Sequence, residues 1–224
     1  MPTKPPRRTR ERILGTALAL FNEAGEPNIT TADIADEMNI SPGNLYYHFR
    51  NKDDIIGEIY GALEASLRPL FDDVPGRAPT IDDLWLFLHL LFEKMGEYRF
   101  FYRDLDEITS RNRRIAQRFG ALTRDGERAV RALCDGLVAT GVMQATTGER
   151  IALARNVALV STYWMSFQRI GHARSAGEAE KLDPAAAAGQ VLSLVAPFLL
   201  GDARRLVEKL SEDYLREVPW PANG

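Results

Sequence analysis

The sequence predicts an all-α protein, and three observations carry that prediction. Apolar residues recur at helical spacing along nearly the whole chain. No alternating apolar-polar run of useful strand length and no internal repeat interrupts them. Helix-start signatures, a Thr or Ser able to close a first turn, stand at Thr30, Ser41 and Thr80. At 224 residues, the chain can hold an N-terminal domain of three helices and a larger helical domain with its own core.

The elements follow in order. KPPRRTR, residues 4 to 10, reads as a basic arm in which two prolines delay the first helix; it is either a groove or phosphate contact or a solvated tail. Helix 1 is expected from about Thr9 to Ala24, with Ile13, Ala17 and Leu20 beside Leu14, Leu18 and Phe21 on a broad apolar face, and Gly25 stopping it. Thr30 and Asp33 form a capping-box start for a short helix whose stripe is Ile34, Ala35 and Met38, and Asn39 marks its end. Ser41 caps the next helix and Pro42 takes its first position, where the missing N–H costs nothing.

Within that helix Leu45 and Phe49 are four apart and share the buried face. Gly43, Asn44 and Tyr47 then point the other way, with Tyr46 and His48 on the flanks. Two short helices joined by a tight turn, the second led by glycine and bearing polar and aromatic tips, can enter a major groove. The competing reading is an αα-corner whose aromatics pack on a neighbouring helix. Asn51 caps a third helix and sets Lys52 in its first turn, beside free backbone amides, as a phosphate clamp.

From about Arg10 to Ile59 the chain resembles the DNA-binding domain of the TetR family of bacterial transcription regulators, at TTADIA, ISPGNLYYHF and RNKDDI. The resemblance covers about a quarter of the chain and rests on several residue types in register. It implies a dimeric all-helical repressor whose C-terminal domain binds a small ligand and thereby releases operator DNA. Carried over by position, Thr31 resembles a phosphate contact, Gly43 and Asn44 sit nearest the bases beside the capping Ser41, and Tyr47, His48 and Lys52 resemble backbone contacts, with Tyr46 a further candidate. Ala32 stands where some members carry a base-reading arginine, so a guanine contact from that site is not implied.

Charge sets a condition on this reading. Lys and Arg number 28 against 31 Asp and Glu, a net charge of −3. Residues 1 to 60 alone hold seven cations and nine carboxylates. DNA binding must therefore use locally placed cations and helix N-termini, not a general basic surface.

Beyond Lys52 the pattern Ile55, Ile56, Ile59, Tyr60, Leu63 and Leu67 predicts a long connecting helix that ends at Arg68-Pro69. FDDVPGRAPT is the clearest linker, which places the domain boundary near Pro75: residues 1–75 for the DNA-binding domain and its connecting helix, 76–224 for ligand binding and dimerisation. Thr80 to Asp83 caps a helix running through Leu84, Phe87, Leu88, Leu91, Phe92 and Met95. A short basic helix over 111–119 and a separate helix over 121–140, stopped by Gly141, come next. Segments 149–170 and 184–200 are apolar on more than one side, including Val160 and Val195, so each needs two partners: its own core and a second subunit, or else one thick monomer core; the family resemblance implies the first, a four-helix dimer bundle.

The aromatics between Trp85 and Tyr102 either line a pocket or form core. As a pocket, Trp85, Phe92, Phe101, Trp164 and Phe167 would contact a small hydrophobic effector. Arg99, Arg103 and Arg169 would hold an acidic head group or simply be solvated. YRFFYRDL, residues 98–105, resembles a run of one TetR subgroup.

His48, His89 and His172 have no metal-ligand spacing, and no phosphate loop, nucleophile elbow or dinucleotide fingerprint occurs. Asp104, Asp106 and Glu107 read as a solvated face or helix cap. No catalytic residue, metal or cofactor is expected. The single Cys134 excludes an internal disulfide and fits the cytosol, and no leader or membrane span is expected. The alternative function is a small-molecule-binding protein of the same fold with residual DNA affinity.

Overall fold

The computed structural model describes residues 6–72, 77–172 and 184–216. Among them the regular elements are helices, with one isolated antiparallel bridge between Met143 and Leu199. The boundary expected near Pro75 and the start of the basic arm lie outside the described residues.

The chain divides into two compact units that are not contiguous in sequence: residues 1–65 with 98–118, and 66–97 with 119–224. In the first unit, α1 (Pro6–Ala24) begins earlier than expected. Pro6 starts the helix instead of delaying it, because a first-position proline gives up an N–H that has no intrahelical partner. Gly25, at φ 92°, turns the chain into a 3-10 turn, Glu26–Asn28. α2 (Thr31–Glu37) opens with the full capping box and closes at Asn39, held at φ 54°. α3 (Pro42–His48) opens on Ser41, whose hydroxyl accepts from Asn44 N at 3.2 Å. α4 (Lys52–Asp72) opens on Asn51, whose side chain accepts from Asp54 N at 2.8 Å. It carries Pro69 inside its last turn, so the helix runs past the expected stop. So near the C-terminal end, one missing hydrogen bond is a local loss.

The first unit's core joins Ile13, Ala17 and Phe21 of α1 to Ile34, Leu45 and Phe49 and to Ile55, Ile59, Tyr60 and Leu63 of α4. It is completed from far along the chain, by α6 (Arg99–Arg103) and α7 (Leu105–Arg111). Phe100 packs on Phe21 at 5.2 Å and Phe101 on Tyr60 at 5.3 Å between ring centroids.

The second unit contains α5 (Ile81–Glu97), α9 (Thr147–His172), α10 (Pro184–Val195) and α11 (Gly201–Arg216), with most of α8 (Arg113–Ala139). The two helices expected over 111–140 are one: Gly120 costs the helix about 1 kcal/mol relative to alanine and does not break it. Gly141, at φ 74°, supplies the stop. α10 packs on α5, α9 and α11. Val191, Leu192 and Val195 are buried there, so Val195 belongs to this unit's own core and not to a spare face. A 3-10 turn, Ala196–Phe198, then separates α10 from α11. No described helix is long and apolar enough to cross a membrane.

Candidate nucleic-acid interface and effector cavity

The local chemistry fixes how α3 is mounted. Leu45 and Phe49 are 0% and 2% exposed, which anchors one face in the core. The other face is turned outward: Gly43 and Asn44 are exposed, and Tyr46 and Tyr47 are 52% and 80% exposed. An aromatic side chain left four-fifths in water loses much of the burial it would gain in a core. His48 is half-buried and meets Tyr47 edge to face at 5.1 Å. The Tyr46 hydroxyl and the Thr31 hydroxyl are 3.0 Å apart, so the first turn of α2 and the middle of α3 hold each other at the surface. Ala32 is exposed beside them.

At α2, the Thr30 hydroxyl accepts from Asp33 N at 3.2 Å while Asp33 accepts from Thr30 N and hydroxyl, each at 2.7 Å. The Thr30 hydroxyl, then its backbone N–H, hold the Asp33 carboxyl below its ordinary range.

Two of the cations counted in the sequence have other work. Arg10 bonds Glu58 and lies 4.6 Å over the Phe49 ring. Lys52 turns inward: its ammonium donates to Glu26 O and Ile29 O, each at 2.8 Å, and pairs with the Glu26 carboxylate at 2.7 Å. The first turn of α4 also carries Asp53 and Asp54, and Asn51 already takes an amide there. Lys52 therefore ties the loop before α2 to the start of α4, and the phosphate-clamp expectation does not suit its ammonium. Helical spacing gives a lysine's face but not a partner 26 residues away. Among the described residues of this region, Arg8, Arg12 and Arg50 are the exposed cations.

The five expected effector contacts do not form one constellation. Phe101 is fully buried in the first unit. Phe92 is core of the second, at 3% exposure. Trp85 stacks on His89 at 5.1 Å and borders a cavity of about 180 Å³ against Leu192 and Val207. Trp164 and Phe167 lie together on α9, 5.7 Å between centroids.

A larger apolar cavity, about 340 Å³, lies in the second unit between the end of α4, α5 and α8. Leu70, Phe71, Phe87, Leu90 and Leu133 make its walls, with Lys94 and Asp83 as charged members. Sequence spacing missed it because residues from three helices supply the walls and Pro69 seemed to end α4 before Leu70 and Phe71.

Two other expectations need correction. Asp104 is buried, not solvated, and accepts from Glu26 N at 2.9 Å. Arg103, 9% exposed, donates to Phe21 O at 2.6 Å and is therefore neither a head-group ligand nor a surface arginine. The Arg169 side chain lies outside the described residues.

Comparison with known proteins now bears on this geometry. Residues 13–59 match the family described as bacterial regulatory proteins, tetR family, and residues 62–207 match TetR, bacterial transcriptional repressor. A TetR-family transcriptional regulator from Marinobacter aquaeolei VT8 is 38% identical, with a TM-score of 0.80 over 92% of this chain and 98% of that one. The probable acrEF/envCD operon repressor of Escherichia coli (strain K12) is 36% identical over 66 residues, 30% of each chain. The HTH-type transcriptional regulator QacR of Staphylococcus aureus (strain Mu50 / ATCC 700699) is 39% identical over 56 residues, 25% of this chain and 30% of that protein. The chain thus aligns with about a third of the length of these two curated relatives, whereas the family matches together run from residue 13 to residue 207. On those matches, with a helix-turn-helix capped and exposed as described, this chain belongs to the TetR family of bacterial transcriptional regulators.

Proposed function

We propose that the protein is a cytoplasmic, homodimeric repressor that reads a pseudo-palindromic operator through α3 and is released by a small hydrophobic effector. The observation that carries the DNA reading is the outward face of α3. Gly43 and Asn44 lie nearest the bases, Tyr47 and His48 lie along the backbone, and Thr31 with Tyr46 adds a phosphate contact from α2. Ser41 serves by fixing where α3 begins.

Gly43 makes the proposal testable without confusing folding and binding. A Cβ there would meet only Ser41 Oγ, at 3.9 Å, so alanine fits the free protein. Alanine also favours the helix by about 1 kcal/mol. Gly43→Ala should therefore leave the melting temperature equal or higher while weakening DNA binding, because the added methyl stands between backbone and groove. Selection of random duplexes by the pure protein should return a palindrome, and Gly43→Ala and Tyr47→Ala should bind it at least about tenfold more weakly, the loss of one good contact. No enriched sequence would favour the alternative reading, a ligand-binding protein with residual DNA affinity, which the pairing of Arg10 and Lys52 within the fold keeps in view.

The effector is assigned to the 340 Å³ cavity, which falls within the size range of small-ligand sites. Leu70 and Phe71 in its wall belong to α4, the helix that begins four residues after α3 ends. A ligand preferring one setting of α4 would shift the reading heads, provided it binds the two settings unequally. Neutral hydrophobic compounds should raise the melting temperature, and Leu133→Trp, which fills the cavity, should abolish the rise. A response confined to multiply charged compounds would remove this assignment.

A further inference from the structure

The run YRFFYRDL and the helix after it do something the reading of α3 leaves unexplained. Residues 98–111 and α1 cap each other's ends. Asn22 Oδ1 of α1 accepts from Phe100 N at 3.1 Å, in the first turn of α6. In return the buried Arg103 donates to Phe21 O at 2.6 Å and Asn22 O at 3.3 Å, carbonyls at the C-terminal end of α1. A guanidinium at that end also meets the negative pole of the helix. Asp104 neutralises Arg103 at 3.3 Å and accepts from Glu26 N. Gly25 leaves room for this: a Cβ there would stand 3.4 Å from Arg103 Nη2.

Beside this joint, two cations converge on a single buried carboxylate oxygen. Glu26, 0% exposed, has Lys52 Nζ at 2.7 Å and Arg111 Nη2 at 2.8 Å, both on Oε1. Its other oxygen is buried with no hydrogen-bond partner among the described residues, so these two cations carry the compensation of its charge. Arg111 also reaches Asp53 at 3.3 Å and, on its own helix, Glu107 at 3.9 Å. Burial alone would lower the Arg111 guanidinium, but Glu26 and Asp53 outweigh it and raise it. Lys52, through Ile29 O and its own place at the head of α4, spans both ends of the α2–α3 hairpin.

We propose that Arg111, with the Arg103–Asp104 pair behind it, is a positioning residue for the DNA-reading helix: a charge latch by which α7 holds both ends of the helix-turn-helix through Glu26 and Lys52. The latch segment is the stretch of chain between α5 and α8, the two helices that share the effector cavity's wall with α4. The proposal rests on α3 being the DNA-reading helix, and its test separates the two.

Hydrogen exchange on the full-length protein is the first measurement, with Arg111→Met and Arg111→Lys beside the wild type; Arg111 is surface-accessible enough for both to fold. Arg111→Met should speed amide exchange on the order of tenfold over residues 26–31 and 50–56 and leave residues 187–195 unchanged. Arg111→Lys, which keeps the charge, should recover most of the protection. Unchanged exchange in the first two segments, equal acceleration everywhere, or no recovery with lysine would each overturn the latch. On the duplex selected by the wild type, Arg111→Met should then bind about tenfold more weakly with the same base preference. Undiminished affinity would overturn the positioning role. Should the wild type select no duplex, the reading of α3 fails, while hydrogen exchange still decides for or against the latch.

Discussion

At Gly136, in the last turn of α8, a single methyl group decides whether the chain can close. A Cβ built there would overlap Pro79 Cγ and Cδ, so the helix surface at that turn is cut away to seat the proline ring. Ring and helix are both stiff, which leaves neither neighbour an inexpensive way to yield. Alanine at a helical glycine ordinarily stabilises by about 1 kcal/mol. Here the sign should reverse, with Gly136→Ala destabilising by about 1–3 kcal/mol, the usual cost of overpacking. Thermal unfolding checks it, and Gly136→Ala paired with Pro79→Ala should recover most of the loss. The contrast with Gly43, where a Cβ makes only an ordinary contact with Ser41 Oγ, shows why composition alone cannot rank glycines: the clashing partner of Gly136 is 57 positions away in sequence.

Among the elements, α2, α5 and α9 begin in the same way, a threonine whose hydroxyl and amide trade hydrogen bonds with a carboxylate three residues on: Thr30 with Asp33, Thr80 with Asp83, Thr146 with Glu149. All three carboxyls are held below their ordinary range, Asp33 mainly by the Thr30 hydroxyl and Glu149 mainly by the Thr146 backbone N–H. Asp83 is lowered furthest, from 3.8 to about 2, first by hydrogen bonds from Arg77 and then by Thr80 N. A carboxyl depressed by folding stabilises fully above its unfolded value and loses that contribution as pH falls through the folded one. The start of α5 should thus weaken between pH 3.8 and about 2. Asp83→Asn should lower the melting temperature at pH 7 and flatten its decline across that acid window; an unchanged acid limb would show that other carboxylates govern it. Such caps are legible in sequence because all their partners lie within one turn. Arg103, Asp104 and Lys52 are not, because each is oriented by a group 26 to 82 residues distant. The same limit hid the cavity and sent Phe101 to the first unit, whereas the outward face of α3 followed from the anchoring of Leu45 and Phe49 alone.

For the whole molecule, the proposed dimer depends on which apolar surface the second unit leaves over. α10 has spent Val191, Leu192 and Val195 on its own core, but α9 is apolar on two sides. Val157 and Met165 are only 2% and 1% exposed, while Leu159, Tyr163 and Phe167, spaced four apart on the opposite face, are 57%, 44% and 46% exposed. A stripe of that length on a 26-residue helix would form a self-complementary seam if met by its own copy about a two-fold axis. Leu159→Glu should therefore shift sedimentation from dimer to monomer with little change in secondary structure, whereas Val195→Glu should unfold the unit without reporting on assembly. The monomer should still recognise a half-site but lose the gain from engaging two at once, commonly about 10²-fold or more. A Leu159→Glu protein that remains dimeric would move the interface off α9. A monomer that keeps full operator affinity would mean that one copy of α3, held by its latch, supplies the specificity unaided.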